Sequence, residues 1–187
     1  MDTRTTLLES AERAARQRGF DAFSYADLAR DVGIKTASIH YHFPRKADLA
    51  SSMIERYARR FLESLTQIER DHAIAAARVD AYLGVYRDAL ADGSQLCLCV
   101  AFSAGRDSLA DPVLDQLTQF HADSTAWLTG VFEAGRQDAS IAGISDPVLE
   151  ARACLALVEG AQLGARAAKS VTPFDQAVAA LQARLTV

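Results

Sequence analysis

Hydrophobic positions recur three and four apart along nearly the whole chain, and nowhere do they alternate as a row of strands would. Leu7, Leu8, Ala11, Ala14 and Ala15 form one stripe, which predicts a first helix stopped at Gly19. Ser24 is placed to cap a short helix whose Leu28, Ala29 and Val32 face inward, and Gly33 ends it. Just beyond, Thr36 opens a second short helix with Ile39 and Phe43 inward. The longest periodic run starts near Arg45, where Leu49, Met53, Tyr57, Phe61, Leu65 and Ile68 mark about six turns. Further helices are expected from about Ala73 to Leu90 and from about Gln95 to Ala104. Another runs from Asp111-Pro112 past Trp127 to near Arg136. Ser145-Asp146-Pro147 opens a long one, and Thr172-Pro173 a short last one, since Asp caps and Pro suits the first helical position. Only Asp138 to Gly143 reads as a long irregular stretch. The expected fold is all-α, with about nine helices.

Two short helices joined by a glycine turn form a helix-turn-helix, whose second helix is suited to the major groove of DNA. Successive helical residues are displaced by about 100°. With Ile39 in the core, Ala37 and Tyr41 therefore point most directly outward, and Ser38 and His40 lie on the flanks. Thr36 falls in the first turn, where a recognition helix reaches base edges. A small Ala37 permits close approach and contact with a thymine methyl. Tyr41, His40 and Lys46 carry donors for phosphate oxygens, and the amides that open the helix at Lys46 also suit an anion.

Charge agrees with this division. Residues 1–60 hold 11 Lys and Arg against 8 Asp and Glu, whereas the whole chain has a net charge of −4. A basic head on an acidic body suits a head that meets a polyanion. Half the residues are hydrophobic, yet no apolar run reaches bilayer length and the first residues lack a signal-peptide block, so a cytoplasmic protein without membrane contact is expected. His40 and His42 are two apart, so on a helix they diverge and cannot share a metal ion; no metal and no cofactor is expected. No GxSxG, P-loop, dinucleotide fingerprint or HExxH motif is present, which argues against an enzyme. A helical protein-interaction module is the other competing class, and salt dependence of DNA binding separates it from a DNA reader.

The segment from Gly19 to Leu49 resembles the DNA-binding domain of the tetracycline-repressor (TetR) family of bacterial regulators. Gly19, the Ser24 cap, Leu28-Ala29, Val32-Gly33-Ile34, the small-residue helix from Thr36 to Ile39, His40-Tyr41-His42-Phe43, Lys46 and Leu49 fall in register with the family pattern. His40 stands where the family often has Tyr, and Val32 where it often has Ala. The resemblance implies a helix-turn-helix domain at residues 1–45 and a ligand-binding and dimerisation domain at 46–187, linked by the long helix from about residue 45. It implies a homodimer that holds a palindromic double-stranded DNA operator and is released when a small molecule, an electrophile among the candidates, binds the body. The DNA-contacting residues expected on this basis are Ser24, Tyr25, Lys35, Thr36, Ala37, Ser38, His40, Tyr41 and Lys46.

In the body, "ARACLALVEGAQLGARAA" is rich in small residues: Ala153, Ala156, Gly160, Ala161, Gly164 and Ala165. Such a face suits an intersubunit helix bundle, and ordinary burial suits it as well. Leu98, Phe102, Leu117, Phe120 and Trp127 are candidates to line an effector site, with core packing the equal alternative; His121 has no assigned face. Cys97 and Cys99 diverge by about 160° on the expected helix and should not bridge each other. The run around them is similar to one in electrophile-responsive family members. Ordinary core packing accounts for both as small hydrophobes; if either senses, Cys97 is the choice, since with a helix start near Gln95 it falls in the first turn.

Overall fold

The computed structural model describes residues 2–186, and among these the architecture is all-α. Nine α-helices run in order: α1 (Thr3–Arg18), α2 (Tyr25–Val32), α3 (Thr36–His42), α4 (Lys46–Asp71), α5 (Ala75–Asp88), α6 (Leu98–Ala104), α7 (Asp111–Gln137), α8 (Pro147–Ala168) and α9 (Thr172–Gln182). Short 3-10 turns occupy Phe20–Ala22 and Arg106–Ser108, and one isolated antiparallel bridge pairs Ile141 with Leu185. No helix of the described residues is long and apolar enough to cross a membrane.

The chain divides into two compact units. The first holds residues 1–59 together with 98–120, and the second holds 60–97 together with 121–187. The packing therefore does not divide at residue 45. α6 packs on α1, and Phe102 and Phe20 meet edge to face with ring centres 5.3 Å apart, so a helix expected in the body belongs with the N-terminal helices. Within the first unit Leu7, Ala11, Ile39, Leu49, Ala50, Met53, Ile54 and Phe102 are fully enclosed. The apolar stripe of α1 and the first half of that of α4, Leu49 and Met53, thus share the core of this unit, whereas Phe61, Leu65 and Ile68 belong to the second unit. Val32 is the exception among the inward residues expected of α2, being only half-buried.

The second unit shows how distant residues finish helices that local sequence leaves open. The start of α5 has no capping side chain of its own. The Asp138 carboxylate instead accepts from the Ala75 N–H at 3.1 Å, and the Ser140 hydroxyl accepts from the Ala76 N–H at 3.1 Å. The irregular stretch after α7 is therefore a capping device for α5, because the first amides of any helix lack intrahelical acceptors. Its other end is fixed by Arg184, which donates to the Ala142 carbonyl at 2.9 Å and forks onto Glu150 at 2.9 and 3.0 Å. α8 begins as its sequence predicts, with the Asp146 carboxylate accepting from the Val148 N–H at 2.8 Å and Pro147 in the first turn.

α6 starts later than expected, at Leu98 rather than near Gln95. Ala91, Asp92 and Gly93 take positive φ of 43°, 55° and 82°, and the Gln95 N–H turns back to the Leu90 carbonyl at 3.0 Å. A Cβ at Gly93 would collide with the backbone of Lys169 and Ser170, so this turn is shaped by the end of α8. The small residues of α8 lie on two faces. Ala161 and Ala165 are buried within the unit, whereas Ala153, Ala156, Gly160 and Gly164 are exposed together with Leu149 and Leu163.

Candidate functional site

The helix-turn-helix is assembled from local signals. Ser24 and Asp27 form a reciprocal capping box: the Ser24 hydroxyl accepts from the Asp27 N–H at 3.3 Å, and the Asp27 carboxylate accepts from the Ser24 N–H at 2.9 Å. The polar atoms of Ser24 are thereby engaged in opening α2. Gly33 closes α2 at φ 76°, in the left-handed region that favours glycine. The next residues lead into α3, which Ile39 and Phe43 anchor at 0 % and 1 % exposure. The Ser10 hydroxyl and the Arg13 guanidinium both donate to Asp31, tying α1 to α2.

On the outer side of α3, Lys35, Thr36, Ala37, His40 and Tyr41 are exposed and Ser38 is half-buried. Tyr41 is 84 % exposed, an unusual position for a large aromatic ring with no covering element. Ile34, Ala37, Ser38, Tyr41 and His42 line an open hollow with Thr3 of α1. Its lining offers hydroxyls from Thr3, Ser38 and Tyr41 and the methyl group of Ala37, a combination that suits base edges and a thymine methyl.

Two residues expected at this surface turn the other way. The Tyr25 hydroxyl donates to the Phe43 carbonyl at 2.8 Å, and its ring meets His40 edge-on at 4.9 Å. Burial, aided by the charge of Asp48, pushes its pKa up to about 12, so it stays a donor. Lys46 is the larger correction. Its Nζ donates to the carbonyls of Phe20 and Phe23 at 2.7 and 2.8 Å and lies 4.5 and 4.7 Å from the centres of their rings. Burial draws its pKa below the ordinary lysine value, against the charge of Asp21. Lys46 is thus a bolt between the start of α4 and the turn after α1, and its ammonium is held by two carbonyls rather than offered to a phosphate. Arg4, which the sequence pattern did not single out, supports the same region: its guanidinium lies 5.1 Å from the Phe43 ring centre and donates to Ser52 at 3.1 Å.

The expected effector-lining set is divided between the two units. Leu98, Phe102 and Phe120 belong to the first, where Phe102 packs on Phe20 and Phe120 lies 6.2 Å from Tyr57. Cys97 and Trp127 belong to the second. Cys97 is 2 % exposed and precedes α6, so the first-turn position assumed for its activation is not the one it occupies. Its N–H donates to the Gln162 side-chain oxygen at 2.8 Å, and the Gln162 amide nitrogen donates to the Tyr86 carbonyl at 2.7 Å. Cys99 is fully buried on α6. Cys154 is an inert thiol, pushed up to about 12 by burial and the charge of Glu150. His121 Nε2 lies 3.0 Å from a Glu159 carboxylate oxygen. That hydrogen bond, with the charges of Glu159 and Cys97, raises its pKa despite burial.

The sequence pattern missed Tyr82, Tyr86, Ser124, Glu159 and Gln162, which surround these groups. A signal was present: Tyr82 and Tyr86 are one turn apart on α5, and Glu159 and Gln162 interrupt an otherwise apolar and small-residue run from Ala153 to Ala165.

Known proteins agree with the head and with the whole fold. The sequence model of bacterial regulatory proteins of the tetR family matches residues 7–53. The HTH-type transcriptional repressor NemR of Escherichia coli is 26 % identical over 183 residues, covering 95 % of this chain and 91 % of that protein. The HTH-type transcriptional regulator TtgR of Pseudomonas putida is 35 % identical over 54 residues, 29 % of this chain and 26 % of its own length. Among solved structures, a TetR-family transcriptional regulator from Agrobacterium tumefaciens superposes with a TM-score of 0.92 at 27 % identity, over 98 % of this chain and 97 % of that one. The reduced form of E. coli NemR does so at 0.83 and 26 %, over 100 % and 98 %. With the capped α2, the glycine turn and the exposed α3 in place, residues 7–53 carry the DNA-binding module of the tetR family of bacterial regulatory proteins, and the chain as a whole is similar to TetR-family transcriptional regulators.

Proposed function

We propose that this protein is a cytoplasmic repressor that binds a palindromic operator as a homodimer and is released by a small molecule bound in its second unit. The observation that carries the reading is α3: a helix anchored by Ile39 and Phe43 whose outer side offers Thr36, Ala37, Ser38 and Tyr41. Thr36, Ala37 and Ser38 read base edges, while Tyr41, His40 and Lys35 hold phosphates. The exposed α8 stripe of Leu149, Ala153, Ala156, Gly160 and Leu163 is the surface for the second copy, since small residues allow helices to approach closely. The heads of such a dimer reach half-sites about one helical turn, or a multiple of it, apart. Selection of bound DNA from a random pool tests this reading. A palindromic consensus whose affinity falls steeply with salt is expected, and salt-insensitive binding overturns it.

A thiol-based trigger is the second reading. It is favoured by the charge interaction between Cys97 and His121, and by a relative, NemR, whose solved structure is described as its reduced form. Cys97 is joined directly to Leu98, the first residue of α6, which packs on α1. A covalent adduct there would disturb the core that fixes the reading helix. The test is operator binding before and after a mild thiol-reactive quinone, in wild type, Cys97→Ser and Cys99→Ser. Loss in wild type that vanishes only in Cys97→Ser supports it, and no loss in any protein removes it.

A further inference from the structure

The interior of the second unit contains a polar layer threaded through an aromatic cluster. α5 supplies Tyr82 and Tyr86, α7 supplies His121, Ser124 and Trp127, and α8 supplies Glu159 and Gln162. The Tyr82 ring lies 5.1 Å from that of Tyr86 and stacks on Trp127 at 5.6 Å with 19° between planes. Phe61 sets an edge against both tyrosines at 6.2 and 6.0 Å. Most polar atoms in this layer are matched. Tyr82 and Ser124 share a hydrogen bond of 2.8 Å, Gln162 bridges Cys97 and Tyr86 backbone groups, and His121 pairs with Glu159 at 3.0 Å.

Two atoms break the pattern. The Trp127 indole N–H is buried without a partner, and the buried Tyr86 hydroxyl has none within hydrogen-bond distance, meeting the Tyr82 hydroxyl only in a longer contact. Tyr86 is 2 % exposed, and its hydroxyl lies near that of Tyr82, which is already engaged with Ser124. Burial and the neighbouring Tyr82 hold the Tyr86 pKa well above the ordinary value, so the group remains a neutral O–H. An indole N–H is only a donor. Native interiors rarely leave such donors unmatched, because each forfeits its bond to water. Both unmatched donors belong to rings that pack on Tyr82, and the one imidazole of the layer is biased toward its cationic, doubly donating form. The layer therefore has a surplus of donors, framed by four aromatic rings.

We propose that this layer is the effector site, and that its ligand is a small planar aromatic carbonyl compound whose oxygen accepts from Tyr86 or Trp127 while its ring lies among Phe61, Tyr82 and Trp127. The inference rests on the ligand-released reading above and adds the chemistry of the ligand. An oxygen acceptor relieves the surplus, an amine adds to it, and a hydrocarbon leaves it unchanged. Recognition here is non-covalent and independent of the cysteines.

The probe is acetophenone, which has one acceptor oxygen and no reactivity toward thiols. Its control is α-methylstyrene, the same shape with a methylene in place of oxygen. Both are titrated calorimetrically into wild type, Tyr86→Phe and Trp127→Phe, with operator binding followed in parallel. Acetophenone should bind wild type about tenfold more tightly than α-methylstyrene, the value of one hydrogen bond. Tyr86→Phe or Trp127→Phe should reduce that preference to near unity. Tyr86→Phe should melt at or above the wild-type temperature, which shows that the lost preference is not lost folding. Equal binding of the two probes to wild type, binding of neither, or a preference that survives both substitutions overturns the site. A preference without operator release keeps the site and overturns the release reading. A different small molecule that releases operator with equal potency from wild type and Tyr86→Phe keeps the release reading and overturns the site.

Discussion

The helix-turn-helix head, residues 2–59, and the second unit treat their polar groups in opposite ways; the unmatched Gln116 Oε1 of the first unit lies on α7, outside that head. Among the described residues, no buried side-chain polar atom within residues 2–59 lacks a partner, whereas the second unit leaves the Tyr86 hydroxyl and the Trp127 N–H unmatched. In the head, even groups that look suited to a ligand are turned inward: Lys46 holds two carbonyls and Tyr25 holds a third. Its outward chemistry at α3 rests with Thr36, Ala37 and Ser38 and with the exposed Lys35, His40 and Tyr41. DNA is an external surface of fixed shape, so a reader gains from rigidity, and each internal hydrogen bond removes a way for α3 to tilt. A binding interior has the opposite requirement, because donors already matched within the chain have nothing left for a ligand.

Lys46→Met is the strongest way to break this comparison. Two charge-assisted hydrogen bonds disappear and two carbonyls are left without them, so unfolding in urea should show a loss of about 2 kcal/mol. DNA affinity should fall for every sequence while the salt slope stays as in wild type. If Lys46 instead gripped a phosphate, the protein would keep its stability and the slope would fall by about one unit.

Substitutions on the outer side of α3 should show the reverse. Ala37→Val is expected to change the preferred operator sequence, with about 1–2 kcal/mol of discrimination at the affected base pair and no change in melting temperature. Tyr41→Ala should weaken binding to all sequences alike. A shift in melting temperature from either would mean that α3 is less free of the core than its exposure implies.

Tyr25→Phe sharpens the contrast on a smaller scale. It removes the donor to the Phe43 carbonyl and should cost about 1 kcal/mol. Tyr86→Phe in the other unit removes a buried hydroxyl whose contact with Tyr82 is longer than a hydrogen bond, so the same chemical change should be neutral or stabilising there, read by parallel denaturation curves.

The smallest effect belongs to His121. Its folded pKa is raised above the unfolded value of 6.5 by the hydrogen bond to Glu159. A raised pKa means that the folded state binds the proton more tightly, so the contribution is complete below that value and fades as pH rises through the folded pKa. Wild type should therefore lose a little melting temperature relative to His121→Gln as pH is raised from 6 to about 8. A flat difference across that interval would show that the pair adds nothing to stability.

Much of the head was legible because its signals are local. The Ser24 cap, the Gly33 turn and the spacing of Ile39 and Phe43 each act within a few residues, so the chain states them directly. Tyr41 was legible for the same reason, since the direction of a helical side chain follows from its distance to an anchored neighbour. Lys46 was misread because its partners, Phe20 and Phe23, lie more than twenty residues away and are backbone atoms, which no residue type announces. The start of α6 was misplaced for a related reason: the turn before it is shaped by the backbone of Lys169 and Ser170.

The sequence by itself determined the helical class, the order of the helices, the helix-turn-helix and the outer side of its reading helix, because periodicity, caps and glycine turns are short-range physics. Only the tertiary structure decided that α6 packs with α1, that Asp138 and Ser140 cap α5, that Lys46 is a bolt, and that Tyr86 and Trp127 are donors without acceptors. Each of these is a pairing, or a failure of pairing, between groups far apart in the chain. A single sequence carries the inventory of donors and acceptors, but the fold assigns them to one another.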